Sequence, residues 1–197
     1  MKKTISILGS TGSIGRSTLE IIMKNKNKFN VFLLVANSDY LLLSQQAIRS
    51  KAKFVYLSNK KNSRLLKKNL SKYKNIKIVD SFNDLDKIFK KKNDLLMSGI
   101  SGLDGLDFNL KLISKTKKIL IANKESIICG WNLIKKELHK NKTKLEPVDS
   151  EHFAVSQLIK IINPNLIDRI FITASGGPFL KKKINQLKNV SVNSALK

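Results

Sequence analysis

The stretch that decides the fold reads Thr4-Ile5-Ser6-Ile7-Leu8-Gly9-Ser10-Thr11-Gly12-Ser13-Ile14-Gly15. A short apolar strand runs into a glycine-rich turn, and the spacing of apolar residues predicts a helix from about Ser13. Glycines let a backbone approach a pyrophosphate, and a helix N-terminus offers it free N–H groups. The pattern predicts a dinucleotide-binding turn formed by Gly9, Thr11, Gly12, Ser13, Ile14 and Gly15. A plain tight turn is the alternative, and the spacing G-x-x-G-x-x-G does not choose between cofactors.

Beyond this turn, apolar runs of strand length alternate with longer amphipathic stretches, which indicates an α/β fold. We predict a Rossmann-like, mostly parallel sheet with helices on both faces. The predicted strands are residues 4–8, 31–36, 54–57, 76–79, 95–97, 118–122, 145–148 and 170–173. Lysine-rich helical stretches are expected after the third and fourth, and further helices from Glu125 and Ser150. The chain turns acidic near Pro147, which predicts one domain over 1–147 and a second over 148–197.

The charge of this chain is extreme, at +24, and it invites a nucleic-acid interpretation. Of its 38 basic residues 34 are lysine, whereas bidentate recognition of phosphates and guanines favours arginine. We therefore expect no nucleic-acid partner. The single cysteine, Cys129, excludes an internal disulfide and fits a reducing compartment. No apolar run approaches the ~20 residues of a membrane span, so we expect a cytoplasmic protein without a targeting segment or membrane partner.

The second predicted strand ends in Ala36-Asn37-Ser38-Asp39, where such folds contact the adenosine ribose. An acidic residue here favours the free 2′-hydroxyl of NAD, and a basic residue favours the 2′-phosphate of NADP. Asp39 is near the right position and no basic residue follows closely. The residues alone leave the choice open.

Two further segments carry groups that could bind ligands. Ala122-Asn123-Lys124-Glu125-Ser126 lies at a strand-to-helix junction, where α/β folds place ligand-binding groups. Pro147-Val148-Asp149-Ser150-Glu151-His152 contains two carboxylates that would point the same way in an extended segment, as Mg²⁺ or Mn²⁺ ligands require. The alternative in each segment is structural, with Asn123 or Asp149 as a helix N-cap and the glutamate as a first-turn charge.

The last motif is Thr173-Ala174-Ser175-Gly176-Gly177-Pro178-Phe179, whose exposed N–H groups could bind phosphate or simply form a turn. Cys129 is predicted to be a small packing residue beside the apolar stripe Ile127, Trp131, Ile134 and Leu138.

Taken in order, residues 7–15, 122–126, 147–152 and 175–179 resemble the 1-deoxy-D-xylulose 5-phosphate reductoisomerase family, and the resemblance extends over the whole chain. It implies an NADP-dependent oxidoreductase of isoprenoid biosynthesis that uses NADPH and a divalent metal, Mn²⁺ or Mg²⁺. The substrate would be a small phosphorylated sugar, 1-deoxy-D-xylulose 5-phosphate, and the product 2-C-methyl-D-erythritol 4-phosphate. A homodimer is implied for the full-length protein.

The resemblance also assigns roles to residues. Thr11, Gly12, Ser13 and Ile14 would hold the NADPH pyrophosphate, Asn37 and Ser38 would lie at the ribose, and Asn123 and Glu125 would contact the nicotinamide half. Asp149 and Glu151 would bind the metal and, with Lys124, form the catalytic set. Substrate contacts would come from Lys124, Ser150, Glu151 and Ser175.

Several departures from the family pattern limit this assignment. Ser38 and Asp39 stand where members often have a basic residue, Phe153 where asparagine is usual, and Leu180 where arginine is usual. The family chain is also about twice as long, and its third metal-binding glutamate, a His-Pro-Asn-Trp loop and a C-terminal helical domain are missing here. The residues after 147 would thus be the start of an α+β catalytic domain. We expect these 197 residues alone to be an inactive fragment. Other readings are a different NAD(P)-dependent dehydrogenase or a non-catalytic dinucleotide-binding remnant.

Overall fold

A computed structural model describes residues 1–171 and 176–195. Seven strands form one sheet in the order β4-β3-β2-β1-β5-β6-β7, and every neighbouring pair is parallel. The strands are β1 (Lys3–Leu8), β2 (Phe29–Ala36), β3 (Phe54–Leu57), β4 (Lys77–Val79), β5 (Asn93–Ser98), β6 (Thr116–Ile121) and β7 (Lys144–Pro147). The first seven predicted strands are therefore confirmed, with shifts of a few residues at their ends.

The helices cover both faces of this sheet, as predicted. They are α1 (Ser13–Lys24), α2 (Tyr40–Ser50), α3 (Ser63–Leu70), α4 (Asp104–Ile113), α5 (Lys124–Asn141), α6 (Ser150–Ile161) and α7 (Val192–Ala195). Short 3₁₀ segments are found at Lys60–Asn62, Phe82–Asp84, Pro164–Leu166 and Ile184–Asn189. One buried core joins the sheet to α1, α2 and α3, and a second joins it to α4 and α5. Because both faces are covered, the middle strands contain continuous buried apolar runs, as in residues 33–36 of β2.

One sequence prediction about secondary structure fails, and another lies partly outside the described residues. The helical stretch expected after β4 is only the 3₁₀ turn at Phe82–Asp84, where the Ser81 side chain accepts a hydrogen bond from the Asn83 backbone. Local bonds of this kind compete with helix formation. In the predicted strand 170–173, Ile170 and Phe171 lie outside any regular element, and Ile172 and Thr173 lie outside the described residues. Helices α2 and α4 had not been predicted.

Helix α5 is interrupted at Gly130, where φ is −120° and ψ is 15°. Its buried residues recur at every fourth position, at Ser126, Gly130, Ile134 and Leu138. Cys129 falls outside this row and is exposed, so the prediction that it is a small packing residue is wrong.

The chain divides into two compact units, Met1–Phe153 and Ala154–Lys197. The first contains the whole sheet and both cores. The second contains the remainder of α6, two 3₁₀ segments and α7, and none of its described residues is buried. The predicted domain boundary near Pro147 stays a prediction.

Candidate functional site

The turn after β1 contains two glycines, Gly9 and Gly15, that no other residue could replace without backbone movement. Gly9 has a φ of +74°, and a Cβ there would lie 2.7 Å from the carbonyl oxygen of Gly99 in the loop after β5. A Cβ on Gly15 would meet the Gly9 carbonyl oxygen and would lie 2.5 Å from the Ser10 Cα. The glycines thus bring the first turn of α1 directly against β1 and β5, as dinucleotide-binding turns require.

The N-terminus of α1 is open to an anion. Its N-cap is Gly12, which provides no side-chain cap, and the first turn contains no acidic residue. Gly12, Ser13 and Ile14 are exposed, and Thr11 is half-buried. Unpaired N–H groups and the positive end of the helix dipole therefore face solvent at the place predicted for the pyrophosphate.

A cleft of about 470 Å³ opens beside this turn, at the carboxyl ends of the strands. It lies where β1 has β2 on one side and β5 on the other, which is where open α/β sheets bind nucleotides. Of the predicted residues, Gly9, Thr11, Gly12 and Asn37 line it; Ser38 follows directly and is exposed. The remaining walls include residues that sequence reasoning missed, among them Tyr56, Ser58, Phe82, Ser101 and Phe108.

Asp39 is turned toward helix α2. Its Oδ1 accepts a hydrogen bond from the backbone N–H of Leu42 at 2.9 Å, so Asp39 is the N-cap of that helix. A carboxylate held in this way has a structural role, which weakens the argument that Asp39 selects the 2′-hydroxyl of NAD.

Asn123 is buried and joins two loops. Its side-chain oxygen accepts the Ser126 N–H at 2.6 Å as the N-cap of α5, and its Nδ2 donates to the carbonyls of Gly102, at 2.8 Å, and Ile100. Asn123 is therefore a helix N-cap, which is the structural role given above as the alternative to ligand binding. The neighbouring Lys124 is exposed and Glu125 is half-buried in the first turn.

Asp149 and Glu151 lie at the start of α6 rather than in an extended segment. The Asp149 Oδ1 accepts the His152 backbone N–H at 3.1 Å and lies 2.7 Å from the His152 Nδ1. Partial burial would raise the pKa of Asp149, but the hydrogen bonds from His152 outweigh it and hold the pKa below its ordinary value. The N-cap alternative is thus realised here too, and Glu151 is exposed in the first helical turn.

The segments around Asn123 and Asp149 are neighbours in space. Ile121 at the end of β6 pairs with Pro147 at the end of β7, and the Val148 N–H donates to the Ile121 carbonyl at 2.9 Å. Both segments therefore leave the same edge of the sheet as the glycine turn.

The described residues do not form a metal site by themselves. Within 1–171 and 176–195, His, Cys, Asp and Glu side chains nowhere come together in a group of three that could hold a metal ion. Asp149 and Glu151 are two carboxylates, whereas Mg²⁺ takes six oxygen ligands, several of them waters. Ser150 is exposed at the first position of α6. The predicted phosphate contact Ser175 lies outside the described residues.

A second, larger cleft of about 970 Å³ opens at the opposite edge, where the strands begin. None of the predicted site residues lines it, so we place the site at the carboxyl edge. Within residues 1–171 and 176–195, none of the helices combines the length and the apolar composition that a membrane span requires.

Comparison with known sequences gives one family throughout. Residues 5–130 match the family model for 1-deoxy-D-xylulose 5-phosphate reductoisomerase, and residues 145–197 match the model for the C-terminal domain of that enzyme. The chain is 47% identical over 197 residues to the reductoisomerase of Pelagibacter ubique, covering 99% of this chain and 50% of that protein. It is 40% identical over 195 residues to the enzyme of a Wolbachia pipientis strain, covering 98% and 49%. The chain thus spans about half the length of the curated relatives it matches.

Solved structures of the same family superpose on this chain. The reductoisomerase of Zymomonas mobilis, in complex with NADPH, superposes with a TM-score of 0.82 at 34% identity, covering 96% of this chain and 50% of that one. Another reductoisomerase, in complex with NADPH, fosmidomycin and magnesium, superposes with a TM-score of 0.78 at 31% identity, covering 99% and 50%.

Proposed function

The chain belongs to the 1-deoxy-D-xylulose 5-phosphate reductoisomerase family, and from this membership we propose that it provides the cofactor-binding part of such an enzyme. The proposed reaction is the NADPH-dependent reductive isomerisation of 1-deoxy-D-xylulose 5-phosphate to 2-C-methyl-D-erythritol 4-phosphate. The observation that carries the proposal is the glycine turn, in which Gly9 and Gly15 leave no room for a Cβ beside an uncapped helix N-terminus.

The cofactor in this proposal is NADPH, as in the relatives solved with it. Its pyrophosphate would lie on the N–H groups at the start of α1, where the dipole favours negative charge. Its adenosine half would occupy the cleft beside β2 and its nicotinamide half would extend toward α5. We assign these contacts to Gly9, Thr11, Gly12, Ser13, Ile14, Gly15, Asn37, Ser38, Asn123 and Glu125. The Asn123 side chain already has three partners, so we expect it to act by fixing the two loops.

We propose that Asp149 and Glu151 contribute two oxygen ligands to a Mn²⁺ or Mg²⁺ site whose remaining ligands come from outside the described residues. Such an ion polarises a carbonyl oxygen as a Lewis acid. Lys124 is exposed at the neighbouring strand end and would attract the anionic substrate. Ser150, Glu151 and Ser175 complete the proposed substrate contacts.

We further infer a domain boundary near Pro147, a cytoplasmic location without membrane or nucleic-acid partners, and a homodimer for a full-length protein. These inferences rest on the family and on the lysine-dominated charge. We also infer that the 197 residues alone bind NADPH without turning over substrate, because two carboxylates are too few to hold the metal tightly. NADPH oxidation that depends on substrate and Mn²⁺, measured by absorbance with the isolated chain, would contradict that inference.

The pyrophosphate position is tested by placing a charge at Gly12. Space is open there, since an added Cβ has only the Gly9 carbonyl oxygen nearby, at 3.4 Å. Aspartate and asparagine are both good N-caps of similar size, so G12D and G12N should both fold. We expect G12D to bind NADPH at least roughly tenfold more weakly than G12N, because only aspartate repels the pyrophosphate.

NADPH binding is followed by the change in nicotinamide fluorescence on titration of the 197-residue chain. Equal NADPH affinities of G12D and G12N would contradict the placement of the pyrophosphate at the start of α1. A wild-type chain that is folded and does not bind NADPH would refute the proposed function itself.

A further inference from the structure

The cofactor's 2′-phosphate lacks a cation at the place where the family pattern puts one. After β2 the chain reads Asn37-Ser38-Asp39, without a lysine or arginine. The Asp39 carboxylate is held at the N-terminus of α2 by the Leu42 N–H. The end of β2 therefore offers no cation for a phosphate, and its one carboxylate already caps α2 through Oδ1.

The end of β3 lies directly beside this gap. Ala36 pairs with Leu57, and the ladder continues past both strands: the Ser58 N–H donates to the Ala36 carbonyl at 3.0 Å, and the Asn59 N–H donates to the Asn37 carbonyl at 2.9 Å. Asn37 and Ser58 both line the cleft. The next residues along the chain, Lys60 and Lys61, are thus the first cations at this corner.

The Lys60 ammonium group contacts Tyr56, a residue that lines the cleft. Its Nζ donates to the Leu57 carbonyl at 2.9 Å and lies 4.3 Å from the ring centroid of Tyr56, which lines the cleft. An ammonium group has three donors, and this hydrogen bond uses one of them.

The charge of Lys60 has no close counter-ion in the described structure, where no carboxylate lies within 4.0 Å of it. The nearby Asp80 pairs instead with Lys67, at 2.9 Å. Partial burial lowers the pKa of Lys60 below its ordinary value, and the negative charge of Asp80 opposes this shift only in part. Ser38, exposed after β2, adds a hydroxyl donor to the same corner.

We propose that Lys60, at the end of β3, recognises the 2′-phosphate of NADPH and replaces the basic residue that is absent after β2. The inference rests on the proposed function, since it presupposes that the adenosine ribose lies at Asn37. It makes Lys60 the residue by which this chain prefers NADPH to NADH.

The test compares wild type with K60M, K60R and the control K68M on the 197-residue chain. Methionine keeps an apolar stem against Tyr56, and Lys68 is an exposed residue of α3 whose loss changes the net charge equally. Affinities are measured for NADPH and NADH by fluorescence, and for 2′,5′-ADP and 5′-AMP by calorimetry.

We expect K60M to weaken NADPH and 2′,5′-ADP binding by roughly tenfold to hundredfold, the usual loss of a charged hydrogen bond. NADH and 5′-AMP should bind as to wild type, K60R should retain most of the NADPH preference, and K68M should bind all four like wild type. A wild-type chain that binds NADPH and NADH equally, or a K60M variant that weakens both to the same extent, would overturn the role of Lys60 while leaving the proposed function intact. If neither dinucleotide binds, both the inference and the proposed function fail.

Discussion

Replacing Gly15 with alanine measures how closely the start of α1 is packed against β1. A Cβ there would lie 2.5 Å from the Ser10 Cα, whereas Cβ atoms are essentially never found closer than 3.0 Å to another heavy atom. The obstructing atoms belong to the backbone of the turn and cannot rotate away. Overpacking of this kind costs about 3 kcal/mol at the upper end of its range, and alanine recovers about 1 kcal/mol of helix propensity. We expect a net loss of about 2 kcal/mol in the free energy of unfolding, or a Tm lower by about 4–8 °C.

The matched control is Gly12→Ala, three residues earlier in the same turn. Gly12 has a φ of −76° and open space around it, so alanine is accommodated there. We expect this variant to lose less than about 1 kcal/mol, since alanine is merely a poorer N-cap than glycine. Both variants are compared by urea denaturation and by NADPH titration, and G15A should also bind NADPH more weakly. Equal stabilities for the two variants would refute the packing argument.

Two further predictions concern residues that fix the site and the sheet. Asn123→Ala should destabilise the protein by about 3 kcal/mol in urea denaturation, because it removes a helix cap and leaves the carbonyls of Ile100 and Gly102 without their donor. Asn123→Ser keeps the cap and should lose less stability. A serine variant less stable than the alanine variant would be inconsistent with this hydrogen-bond network. Asp94 has a pKa of about 2, which is lowered mainly by the hydrogen bond from the Lys117 side chain. Its ionised form therefore contributes up to about 2 kcal/mol to the free energy of unfolding above pH 4, and this contribution is lost as the pH falls toward 2. The stability difference between wild type and D94N, measured by urea denaturation, should therefore shrink over this range, and a constant difference would disprove the linkage.

The strands and the glycine turn were predictable because local sequence determines them. A strand buried on both faces is an apolar run bounded by turn residues, and residues 4–15 and 29–39 show this directly. Helix α4 was not predictable in this way. It contains Gly105, which lowers helix propensity, yet the structure needs a glycine there because a Cβ would meet the Nδ2 of Asn123. A contact between residues 18 positions apart leaves no local pattern.

In the candidate site, too, some features follow from local sequence and others arise only from the fold. The capping roles of Asn123 and Asp149 follow from local sequence, and they were recognised as the alternatives to ligand binding. The aromatic walls of the cleft, Tyr56, Phe82 and Phe108, come from three separate elements that only the sheet order brings together. The cation at the end of β3 was missed for the same reason, since it is the pairing of β2 with β3 that places Asn59, the residue before Lys60, beside Asn37.

The central place of β1 in the sheet has a consequence for how the chain is made. Strand β1 is synthesised before the other strands of this sheet, and β2, β3 and β4 can add to one of its edges in succession. Its other edge stays unpaired until β5 emerges with Leu95 opposite Ile5. The nascent half-sheet therefore exposes an apolar edge for most of the synthesis of this unit, which is the situation that invites aggregation and chaperone binding. Gly99, which closes over Gly9, is also delivered by that late strand. The turn after β1 is thus synthesised well before the strand and the loop that complete it, and it takes its final form only after Gly99 has been added.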